Sequence, residues 1–184
     1  VRQAFFSAKP TLLNQMYIDL GKVLDSAGHA AKAAAELEEG VLVVTSGDGP
    51  GASDAPDSFW RLLAQLADLQ FRDSAVERAA ESARAALDQA TRQGSRIGQA
   101  RCHYLLARCL DRLGRLSEAD MHHNLALEAF RQLGDRLSAA EVLLSRATTA
   151  TGERPDFTRQ ALDLSLQIAW EQGIRAAESL NGKN

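Results

Sequence analysis

The side chains best suited to chemistry crowd into one stretch. Between positions 101 and 123 lie both cysteines (Cys102, Cys109), three of the four histidines (His103, His122, His123) and the arginines Arg101, Arg108 and Arg112, with Tyr104 among them. Offsets of seven and four return to the same side of an α-helix, so these arginines share a face. A planar guanidinium fork pairs bidentately with carboxylate or phosphate, and a tyrosine beside it adds apolar area with a polar tip. Such a face suits an acidic or phosphorylated protein or peptide. The same residues also fit a plain solvated face, neutralised by Asp111, Glu118 and Asp120.

Metal chemistry is the other candidate. Two thiols and an imidazole could hold zinc, but Cys102-His103, Cys109 and His122-His123 lack the spacing of a standard finger. Seven residues along one helix put the two cysteine Cα atoms roughly 10 Å apart, beyond disulfide reach. We expect no metal and no other cofactor: free cysteine packs as a small hydrophobe, and a histidine on an apolar face is usually a hydrogen-bonded core group. Enzyme signatures are also missing. The sequence has no Gly-Lys-Ser/Thr loop, no nucleophile elbow and no His-Glu-x-x-His. Gly47, Gly49 and Gly51 lack the strand-to-helix setting that phosphate cradling needs. The expectation is a protein that is not an enzyme. Thr148, Thr149 and Thr151 offer hydroxyls for phosphorylation, although near a helix end such groups more often cap.

Composition narrows the partners. The 184 residues carry a net charge of −3, which argues against nucleic acid or an anionic membrane surface as a partner. No apolar run approaches the ~18 residues of a membrane span. The first residues, Val1-Arg2-Gln3-Ala4-Phe5-Phe6, show no signal-peptide pattern, and without a starting Met the chain reads as a fragment or a processed product. Two unpaired thiols favour a reducing, cytoplasmic setting.

The elements that must position these groups are helices. Ala100, His103, Tyr104, Leu106, Ala107 and Leu110 fall on one helical face, and Leu116, Ala119, His123, Ala126, Leu127 and Phe130 on another, with Gly114 turning between them and Gly134 ending the second. A five-residue phrase recurs around Gly94, Gly134 and Gly173, at intervals of 40 and then 39 residues. A fixed period of this size marks stacked supersecondary units. The expected architecture is all-α, an α-solenoid of stacked antiparallel helix pairs. Its parts are the tail of a preceding repeat (1–10), repeat 1 (11–44), a flexible loop (45–57), repeat 2 (58–94), repeat 3 (95–134), repeat 4 (135–173) and a partial or capping helix (174–184). Asp57-Ser58 and the capping-box pattern Ser74-Ala75-Val76-Glu77 are expected to start helices. Pro155 opens one expected to run to Gln172. Val41–Val44 is taken as a helix tail rather than a strand.

The chain resembles the tetratricopeptide-repeat (TPR) family. Tyr17, Leu20, Gly21, Leu24, Gly28, Ala33 and Leu37 match the family pattern, with Gly40 where the last Ala is usual. Leu106, Ala107, Leu110, Gly114, Ala119 and Ala126 match again, with His103 and His123 at bulky positions. The period near 40, longer than the usual 34, is similar to the repeats of Pins-like adaptors of the mitotic spindle and of bacterial signalling regulators. Arg146 stands where a Leu is usual.

That resemblance implies a concave face lined by the first helix of each pair, holding a peptide. Carried across by position, it assigns peptide binding to Lys22, Arg61, Phe71, Arg72, Arg101, Tyr104, Arg108 and Arg112, and turns Glu141, Leu144 and Thr148 inward. The chaperone-tail clamp of some members is not implied, because Ile18, Gln65 and Leu105 occupy its positions. The implied function is a protein–protein interaction module within a larger scaffold or adaptor. Two alternatives are a regulatory segment of a bacterial transcription activator or protein kinase, and self-association through the terminal repeats.

Overall fold

Apolar spacing of three and four residues, interrupted about every twenty by a residue able to reverse the chain, dictates a succession of short helices. The computed structural model describes residues 10–46, 58–149 and 154–181. Its helices are α1 Pro10–Ser26, α2 Ala30–Ser46, α3 Phe59–Arg72, α4 Val76–Arg92, α5 Arg96–Arg112, α6 Leu116–Leu133, α7 Arg136–Thr149, α8 Arg154–Gln167 and α9 Glu171–Asn181. No strand occurs among the described residues, and Val41–Val44 continue α2. The expectations placed on 1–9, on 47–57 (with Gly47, Gly49 and Gly51) and on Ala150 and Thr151 lie outside the described residues. The fold class is all-α, built from antiparallel helix pairs.

One turn recurs throughout. Ser74, Gly94, Gly114 and Gly134 all have positive φ and fall 20 residues apart. At each, the next residue's N–H bonds back to the carbonyl five positions earlier, as in Ala75→Gln70 and Arg115→Leu110 (both 2.9 Å). This closure satisfies carbonyls that a helix end would leave orphaned. Gly28 and Ala169 make the same turn. Ser74 is therefore not the cap of α4. Its backbone is left-handed, its position ends α3, and no side-chain cap bond starts α4. Nor does Ser58 cap α3: its hydroxyl accepts from Asn14 Nδ2 at 2.6 Å instead.

The recurring phrase has a mechanical meaning in two of its three copies. Gly94 and Gly134 close one helix. Ser95 and Asp135 then cap the next, accepting the N–H groups of Gly98 (3.2 Å) and Ser138 (3.1 Å). The third copy does neither. Helix α8 stops at Gln167, not Gln172, the turn falls at Ala169, and Gly173 is buried inside α9, where a Cβ would overlap the Trp170 ring.

The chain divides into two compact units, residues 1–98 and 99–184. In the first, α1 packs on α2, α2 on α3, α3 on α4, and α1 also on α3. Helix α3 buries Leu62 and Leu69, and α4, packed against it, buries a face of small residues (Ala79, Ala83, Ala86, Ala90). Small side chains let helix axes approach where bulkier ones would hold them apart. If α1 is superposed on α3 by their closing turns at Gly28 and Ser74, then Met16, Leu20 and Val23 match Leu62, Leu66 and Leu69. The α1 residues are 40% to 64% exposed and their α3 counterparts at most 5%. The outer face of α1 thus carries core residues. In the second unit, α6 packs on α7, α7 on α8, and α9 on both α7 and α8, around Leu110, Phe130, Val142 and Leu143.

Candidate functional site

The eight expected binding residues divide evenly between the two units. In the first, α1 and α3 present Lys22, Arg61, Phe71 and Arg72. Lys22 is exposed and lies 3.7 Å from Asp19. Arg61 sits over the Trp60 ring, 5.4 Å from its centroid. Arg72 forms a bidentate pair with Asp25 of α1 (3.0 and 2.8 Å) and a second contact with Asp68 (3.1 Å). Hydrogen bonding to Asp25, partly opposed by burial, makes Arg72 hold its proton even more firmly than usual. Its guanidinium fastens α1 to α3, and Phe71 is half-buried.

In the second unit α5 buries Ala100, Cys102, Leu106, Ala107, Cys109 and Leu110. This leaves Arg101, Tyr104, Arg108 and Arg112 off the core. Arg108 lies over the Tyr104 ring at 5.6 Å, a geometry in which a cation is attracted to the ring face. The Tyr104 hydroxyl donates to the backbone carbonyl of Glu141 at 3.3 Å, tying α5 to α7. The acids expected to neutralise the arginines bond to other groups: Asp111 meets His123, Glu118 meets Arg115 and Asp120 meets Arg146. The carboxylate whose field Arg108 and Arg101 share is Glu141, and its pKa is raised by burial and by Asp135 against their pull. Tyr104, Arg108, Glu141, Leu144, Thr148 and Trp170 line an open groove of about 420 Å³. Sequence reasoning misses Trp170 because it runs α8 straight through that position. The signal lies in Gly173, which is needed for packing against Trp170 and not for turning the chain.

The histidines and cysteines do not assemble into a metal centre. Cys102 and Cys109 are buried, and burial pushes the Cys102 thiol up to about 12, where it stays protonated and inert. Among the described residues no three histidine, cysteine or acidic side chains stand where they could share a metal. His123 is fully buried with Nε2 2.8 Å from Asp111 Oδ2. His103 and His122 face each other, Nδ1 to Nδ1, at 2.9 Å. One ring must donate and the other accept, which neutral tautomers allow and double protonation forbids. Burial, reinforced by His122, lowers His103 from 6.5 to about 4. As pH falls, the unfolded chain therefore takes up this proton first. The stabilisation is complete above about pH 6.5 and is lost down to about pH 4, and for a half-exposed ring it amounts to about 1 kcal/mol. Urea midpoints measured across that window should fall, and His103→Gln should flatten the fall. An unchanged slope in the variant would assign the effect to another group.

No family model and no curated protein sequence matches the chain. Solved structures do. BtubC (BKLC) from P. vanneervenii superposes with a TM-score of 0.74 at 17% identity, covering 97% of this chain and 78% of that one. A putative kinesin light chain from Podosopora anserina, with nearly identical TPR-like repeats, gives a TM-score of 0.55 at 15% identity, covering 95% and 97%. At these identities the likeness concerns fold alone. Together with the recurring helix–turn closure, it shows a TPR-like array of helix pairs.

Proposed function

We propose that this chain is a protein–protein interaction module of a larger scaffold or adaptor, and that its second unit takes an acidic or phosphorylated protein segment. The observation that carries this reading is the non-core face of α5. It holds Arg101, Arg108 and Arg112 beside Tyr104, with Arg108 stacked on the tyrosine ring. Planar guanidinium groups held by stacking lose less freedom when they bind a carboxylate or phosphate. The TPR-like fold supports a binding role rather than a catalytic one. The spacing of 40 residues between alternate turns (Ser74 to Gly114, Gly94 to Gly134) supports kinship with the long-repeat form seen in Pins-like adaptors. A cytoplasmic setting belongs to the same proposal. It rests on two buried cysteines that form no disulfide.

Calorimetric titration with a glutamate-rich synthetic peptide and its phosphoserine counterpart tests the reading. Arg108→Glu combined with Arg112→Glu should weaken binding by about tenfold or more, and added salt should weaken the wild type in parallel. Unchanged affinity in the variant removes the proposal. Tighter binding of the phosphorylated arm would single out phosphate.

A further inference from the structure

The groove of the second unit is more than a basic face. It is lined by Tyr104, with Arg108 over its ring, from α5, by Glu141 and Leu144 from α7, and by the half-exposed Trp170. Two aromatic rings and a leucine border this open groove of about 420 Å³, enough surface for one bulky apolar side chain to lie against. The charges add a second requirement. Facing Glu141 are Arg101 and Arg108 from α5 and Asp135 from the start of α7, while the Tyr104 hydroxyl is engaged with the Glu141 backbone. Glu141 and Asp135 together balance Arg101 and Arg108, so an incoming carboxylate competes with these two acids for the guanidinium groups.

Resting on the acidic-segment reading above, we infer that the partner segment carries a bulky apolar residue flanked by carboxylates. The apolar side chain seats between Tyr104, Leu144 and Trp170, and a flanking carboxylate takes Arg101 and Arg108 from Glu141. Glu141 is then an internal competitor. Left half-buried beside an incoming negative charge, it gains a proton as the segment binds. Its pKa is already raised by burial and by Asp135, so this uptake needs only a further push in the same direction. Binding linked to proton uptake tightens as pH falls.

Trp170 makes the test direct, because Trp60→Phe leaves it as the sole tryptophan of the chain. The probe is a synthetic peptide with a Glu-Glu-Leu-Glu-Glu centre, titrated against that protein while Trp170 emission and heat are followed. Replacing the central Leu by Ser should weaken binding about tenfold, as should Trp170→Ala, with helicity by circular dichroism unchanged. Lowering the pH from about 7.5 to about 5.5 should tighten binding roughly fivefold. In Glu141→Gln the pH dependence should vanish, with affinity near pH 7.5 at least equal to the wild type. Suppose instead that the Ser probe binds as well as the Leu probe, or that Glu141→Gln keeps the slope. The anchored, proton-linked site then falls while the acidic-segment reading stands. If no acidic probe binds at either pH, both fall together.

Discussion

Leu37→Ala is expected to lower stability by about 2–4 kcal/mol, measured by urea denaturation, because the residue is completely buried and its removal leaves a cavity between α1 and α2. Its neighbour shows how tightly that seam is closed. A Cβ on Gly21 would lie 2.9 Å from Leu37 Cδ2 and 2.9 Å from the Gln65 side-chain amide. Gln65 reaches from α3 to the α1 backbone. With its nitrogen toward α1, it donates to the Ile18 carbonyl at 3.2 Å and accepts the Lys22 N–H at 3.0 Å. Gly21→Ala should therefore cost about 1 kcal/mol: crowding outweighs the roughly 0.5–1 kcal/mol that alanine gains over glycine within a helix. The two changes share one space, so the double variant should be less destabilised than the sum of the single ones, by about 1 kcal/mol. Strict additivity would show that Gly21 is dictated by Gln65 and not by Leu37.

Arg146 is the second position where a large effect is expected, and its sign depends on the replacement. The side chain is buried where a leucine is usual. Its guanidinium donates to Asn124 Oδ1 at 2.7 Å and to Asp120 Oδ1 at 3.3 Å, and it lies 4.0 Å from the centroid of the Phe157 ring. It thereby touches α6 and α8 from α7. Its Nε is buried without a partner, a group left unsatisfied at a cost of about 1–3 kcal/mol. Arg146→Ala removes the packing as well as the bonds and should cost about 2–4 kcal/mol. Arg146→Leu keeps the volume, abolishes the orphaned nitrogen and releases Asp120, whose side chain is 65% exposed, to water. Its cost should stay within about 1 kcal/mol, because replacing a buried ionic group by a hydrophobe of similar bulk is often neutral. Thermal melts of the pair decide the matter. If leucine is as damaging as alanine, charge rather than volume holds the three helices.

Sequence and structure part company at three places for one reason. Ser74-Ala75-Val76-Glu77 has the composition of a capping box, yet Ser74 ends the previous helix, because the twenty-residue rhythm places it where Gly94, Gly114 and Gly134 also sit. Gly173 repeats the phrase of Gly94 and Gly134, yet the reversal is made at Ala169 and the glycine serves contact with Trp170. Arg72 reads as a partner-facing arginine and also pairs with Asp25, a residue 47 positions away. In each case a distant neighbour gives the residue a contact that the local pattern does not specify.

What can be read from the chain by itself is whatever depends on residues within a helical turn or two of each other. Helical faces follow from apolar spacing, most reversals from glycines that adopt positive φ, and the all-α paired architecture from their period. What packing alone decides is each polar group's partner. Glu141 faces Arg108, His103 faces His122 rather than a metal, and Trp170 walls a groove instead of continuing a helix. His103 and His122 stand 19 positions apart, and the Tyr104 hydroxyl reaches the Glu141 carbonyl across 37. These pairings arise from the stacking of hairpins, which brings together groups that no local periodicity relates.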